Sequence, residues 1–167
     1  MRNSISVDLR DTWDRMSRSA AWHCANTRAG VLPDAARDLR EWDAASEEAM
    51  AKGSSEDLSP ETLDNVKWGI WNGAWHVANR IYGNQGDAQQ DLNRWTTHWQ
   101  LAHDQQELKS ALIDDTRWMA WNFAEWAANV RKGSQFWANV GYNRAVCHAE
   151  YILQPPSLQL PAGTCGG

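Results

Sequence analysis

Three stretches of this chain carry the same text, and that repetition constrains the fold more than any other feature. Ala21-Trp22-His23-Cys24-Ala25-Asn26 is followed by Gly30, Ala74-Trp75-His76-Val77-Ala78-Asn79 by Gly83, and Ala124-Glu125-Trp126-Ala127-Ala128-Asn129 by Gly133. In each copy two alanines stand one helical turn apart, Asn comes next, and Gly follows a turn later. The second and third copies also agree upstream, with Trp68, Trp71 and Asn72 set against Trp118, Trp121 and Asn122. A looser echo, Ala145-Val146-Cys147-His148-Ala149-Glu150 with Asn143 ahead of it, appears near the end. A period of about fifty residues points to packed helical units. The alanine spacing gives each helix a face of small residues that lets a neighbour approach. Gly69 and Gly73 extend that face at a propensity cost of about 1 kcal/mol each. The glycine after each Asn supplies the left-handed residue that ends a helix.

Periodicity and punctuation together predict an all-α fold of about six helices. They run from about Val7 to Arg28, from Pro33-Asp34 to near Gly53, from Ser59-Pro60-Glu61 to just before Gly83, from about Ala88 to Lys109, from about Ala111 to Arg131, and from about Gln135 to Leu153. No segment alternates in the manner of a strand. Paired in order, the helices make three hairpins with an internal repeat of about fifty residues. They form either a compact bundle or a short right-handed helical-repeat stack. Residues 1–153 read as a single helical domain, and residues 154–167, opening on Gln154-Pro155-Pro156 and ending in two glycines, as a C-terminal tail.

Composition narrows the function. The formal net charge is −5, and Arg10, Arg15 and Arg18 are diluted by Asp8, Asp11 and Asp14. This gives no electrostatic footprint for nucleic acid and no basic face for a membrane. The N-terminus lacks the apolar run of a signal peptide, and nothing is long and apolar enough to span a bilayer. The three cysteines, Cys24, Cys147 and Cys165, have no Cys-x-x-Cys spacing. That argues against a disulfide framework or a zinc knuckle, and the expectation is reduced thiols in the cytoplasm. No cofactor or metal is expected either. The Glu-x-x-His pairs of bundle metal sites are missing, His98 and His103 are badly spaced for chelation on one helix, and only a gathering of His23, His76, Cys24, Cys147 and Glu150 would offer ligands. No nucleophile motif or phosphate loop is present, so no catalytic residue is assigned and the chain reads as a binding protein rather than an enzyme.

Twelve tryptophans against three tyrosines and two phenylalanines are the other departure from ordinary composition. Four of the tryptophans lie one turn ahead of an asparagine: Trp22/Asn26, Trp68/Asn72, Trp75/Asn79 and Trp118/Asn122. Each pair sets an indole face beside a carboxamide. These pairs resemble those of armadillo-repeat proteins. There, the resemblance implies, Asn holds an extended peptide backbone and Trp rings clamp its side chains. The resemblance covers only the pairs, for the repeat length differs and the helices come in twos. The expected contact surface is therefore Trp22, Asn26, Trp68, Asn72, Trp75, Asn79, Trp118, Asn122, Glu125 and Asn129. Its expected partner is a protein or peptide, or a second copy of the chain, as in adaptors, inhibitors or immunity-type neutralisers. Two other arrangements suit the same residues. A pocket walled by Trp71, Trp75, Trp95, Trp99, Trp121 and Trp126, with His76, Glu125 or His148 on its wall, would hold a flat or cationic small molecule in a small enzyme or carrier. A buried amide network would serve structure alone.

Overall fold

Helix starts and stops follow the local chemistry. A computed structural model describes residues 1–153 as six helices: α1 (Val7–Ala29), α2 (Leu32–Ser55), α3 (Pro60–Ile81), α4 (Gln85–Asp104), α5 (Ser110–Lys132) and α6 (Gln135–Leu153). The expected tail lies outside the described residues. Ser6 caps α1 by accepting from the Leu9 N–H, and Ser59 caps α3 by accepting from the Thr62 N–H with Pro60 in the first turn. The repeated glycines Gly30, Gly83 and Gly133 all adopt the left-handed conformation, with φ of 79°, 83° and 81°. Among the described residues no helix is long and apolar enough to cross a membrane.

The helices pack as three hairpins, α1 with α2, α3 with α4 and α5 with α6. The inner helices α1, α3 and α5 all touch one another, so the centre is a triangle. Each outer helix also leans on the inner helix of the next hairpin: α2 on α3, α4 on α5, and α6 back on α1. The arrangement is therefore a closed bundle and not an open stack. Trp13, Met16, Ile70, Met119, Phe123 and Trp99 are fully buried within it. The small residues act where close approach demands them. A Cβ on Gly69 would lie 2.5 Å from the Trp99 ring and one on Gly73 2.9 Å from Trp95, so α3 gives two indoles of α4 a bed of backbone. A Cβ on Gly141 would meet the Asn122 carbonyl and the Trp126 N–H at 2.9 Å, which marks the closest seating of α6 on α5.

One expectation needs correction. The fourth helix stops at Asp104, five residues short of Lys109, because the segment after it is used for tertiary pairing. Gln106 takes a positive φ of 57°, Leu108 is buried, and Arg2 forms a backbone bridge there, its N–H donating to the Glu107 carbonyl and its carbonyl accepting from the Lys109 N–H. Cys24 is a buried free thiol.

The same loop carries an acid-sensitive clasp. The Glu107 carboxylate accepts from the Ser59 N–H at 2.7 Å. Partial burial pushes its pKa up, but the bonds from the Ser59 hydroxyl and N–H and from Thr62 outweigh that and hold it below the ordinary value. A depressed folded-state pKa stabilises the fold above the unfolded value, about 4.3 for Glu, and that contribution is lost as pH falls through the folded value. Glu107→Gln is therefore expected to flatten the decline of the urea midpoint on acidification below about pH 4.3, while leaving the neutral-pH slope unchanged.

Candidate binding cleft

The first two hairpins are built on the same polar bonds. His23 Nδ1 bonds the Ala35 carbonyl at 2.8 Å and His76 Nδ1 the Ala88 carbonyl at 2.6 Å, in each case twelve residues on. Asn26 Nδ2 donates to Asp38 Oδ2 at 2.8 Å, and Asn79 Nδ2 donates to Asp91 Oδ2 at the same distance and spacing. These bonds pin each inner helix to the start of its outer helix. The third hairpin breaks the pattern. Trp126 replaces the histidine, Gly141 stands where the aspartate would, and Asn129 turns back to the Glu125 carbonyl at 2.8 Å.

An arginine from another hairpin lies over the Trp22/Asn26 pair and another over the Trp75/Asn79 pair. Arg131 of α5 sits 5.5 Å above the Trp22 ring, donates from Nε to Asn26 Oδ1 at 2.6 Å and pairs with Asp34 at 3.5 Å. Arg28 of α1 sits 5.2 Å above Trp75 and reaches Asp87 at 4.0 Å. Among the described residues its Nε has no partner, and neither has Asn79 Oδ1, although both atoms are buried. The two arginine side chains are equally exposed, at 31%, so solvent access does not explain the difference.

Beside Arg28 opens a cleft of about 320 Å³. Trp71, Asn72, Trp75 and Asn79 of α3 form one wall, and Asp87, Gln90, Asp91 and Arg94 of α4 the other. Asn72 donates from Nδ2 to the Trp68 carbonyl at 2.7 Å. Burial raises the Asp91 carboxyl from its ordinary value, against the opposing effects of its Asn79 bond and of Arg94. The nearby Cys24 thiol is pushed up, first by burial and then by the Asp91 charge, which keeps it protonated and unreactive.

Of the residues expected at a contact surface, the cleft brings together Asn72, Trp75 and Asn79. Trp22 and Asn26 are covered by Arg131, and Trp22 also meets Trp126 edge-on at 4.9 Å. Trp68 is 38% exposed, beside Lys67 and Trp71. Trp118 packs among Trp95, Trp121 and Arg117, and Asn122 donates to its carbonyl. Glu125 pairs with Arg80 of α3. His98 is tied to Asn65 and His148 to Asp115, and no three His, Cys, Asp or Glu among the described residues come close enough to hold a metal. Arg28, Asp87, Gln90, Asp91 and Arg94 were not anticipated. The Asn-to-Asp spacing of twelve, present twice, was the available signal for Asp91. The largest exposed aromatics, Phe136 at 68% and Trp137 at 57%, lie apart at the start of α6. No family model matches the chain, and no curated protein or solved structure matches it.

Proposed function

We propose that the chain is a non-enzymatic peptide-binding domain and that the cleft between α3 and α4 receives an extended segment of a partner protein. The observation that carries this is Asn79 Oδ1, a buried acceptor on the cleft wall with no partner among the described residues. Leaving such an atom unmade costs about 1–3 kcal/mol, which a donating N–H from a ligand recovers. Asn72 lines the same wall two helical turns away, at a rise of about 10 Å along α3, and its amide oxygen is the second acceptor of the proposed site. Trp71 and Trp75 supply flat faces for aliphatic or cationic stems. Phe136 and Trp137 are where self-association would start.

Panning a random linear-peptide library on the full chain tests the proposal. Enriched peptides that bind the wild type and lose affinity at least several-fold on Asn72→Ala would support it. Failure to enrich, or binding indifferent to Asn72, would sink it. The same volume, at the lower end of small-molecule sites, favours a second reading in which a flat or cationic small molecule is bound. Native mass spectrometry of protein taken from its host then shows an adduct of discrete mass.

A further inference from the structure

We propose that the side chain this cleft recognises is arginine, and that Arg28 is a poorly seated stand-in for it. The inference rests on the peptide-binding reading and names the chemistry of the bound residue. The chain itself shows what a Trp, an Asn and two Asp in this arrangement will hold. In the first hairpin Trp22, Asn26, Asp34 and Asp38 are met by the Arg131 guanidinium, which stacks on the indole, donates to the amide oxygen and faces the outer aspartate. The second hairpin presents Trp75, Asn79, Asp87 and Asp91 at matching positions, with Asn79 bonded to Asp91 as Asn26 is to Asp38.

Arg28 fulfils only part of that role. It covers the indole, but its Asp87 contact is at the limit of an ion pair, and it misses Asn79 Oδ1, which is left buried and unsatisfied. An arginine arriving on a separate peptide approaches this seat from solvent. It takes the Arg131 pose on Trp75, donates to Asn79 Oδ1 and faces Asp87, while Arg28 swings outward. The guanidinium is the fitting group because its planar fork stacks and donates at once, which an ammonium does not do. The charge count agrees. Arg28 and Arg94 balance Asp87 and Asp91 in the cleft, and exchanging one arginine for another keeps that balance.

The test is calorimetric titration of the full chain with N-acetyl-L-arginine methylamide, alongside its lysine and citrulline counterparts. Removing the internal competitor with Arg28→Ser should tighten the arginine probe by about tenfold, as expected when a binding-competent state is freed. Asp87→Asn, at a well-exposed position, should weaken it. Lysine and citrulline probes should bind at least about tenfold more weakly than arginine. Equal binding of all three probes, no binding to either protein, or weakening on Arg28→Ser would overturn the proposal. Panned peptides lacking arginine would leave the peptide-binding reading standing and this inference fallen. Binding of the arginine probe with no peptide enrichment would do the reverse.

Discussion

Gly69→Ala should lower the stability of the domain by about 1–3 kcal/mol, the usual cost of overpacking a filled core. Alanine is the better helix former by about 1 kcal/mol, so propensity alone predicts the opposite sign. Packing wins because the new methyl would lie 2.5 Å from the Trp99 ring, and that ring, 1% exposed, has nowhere to retreat. The decisive experiment is the pair of changes together. In a Trp99→Leu background the obstruction is gone, and Gly69→Ala should become neutral or stabilising by up to about 1 kcal/mol. Urea midpoints of the four proteins give the coupling, expected at about 1–3 kcal/mol. Simple additivity would show that Gly69 is not there to make room for Trp99.

The second large effect contrasts two arginines of equal exposure. Arg131→Ala removes the donor to Asn26 Oδ1 and leaves a buried acceptor empty, so it should cost about 1–3 kcal/mol. Arg28→Ala removes a long, half-exposed ion pair and a contact with an indole face, and should change stability by no more than about 1 kcal/mol. Equal losses would mean that Arg28 is as firmly seated as Arg131 in solution, and the cleft would then lose its argument for an exchangeable arginine.

The helices were legible because each is bounded by local chemistry: serine caps at Ser6 and Ser59, and left-handed glycines at Gly30, Gly83 and Gly133. The end of α4 was not. Gln105 to Lys109 contains nothing that breaks a helix, and what stops it is the pairing of Arg2 with that segment, a contact more than a hundred residues distant in sequence. The site divides in the same way. Asn72, Trp75 and Asn79 stand out because text repeated along the chain marks them. Arg28 does not, since its place over Trp75 depends on which hairpin lies alongside which, and an arginine in a last helical turn is otherwise unremarkable. Glu125 stands where the other two copies carry Trp22 and Trp75, and only the packing of α3 on α5 supplies Arg80 as its partner.

The circular leaning of the outer helices has a consequence for how the domain comes apart. In a linear array of repeats the terminal units have one neighbour each, and melting proceeds from the ends through partly folded species. Here every hairpin has two neighbours, with α6 returning to α1, and Arg131 and Arg28 carry side-chain contacts between successive hairpins. No hairpin is terminal. Losing one strips an arginine or its seat from the others, so fraying has no place to begin, and the domain should melt as a single cooperative unit in which calorimetric and van't Hoff enthalpies agree.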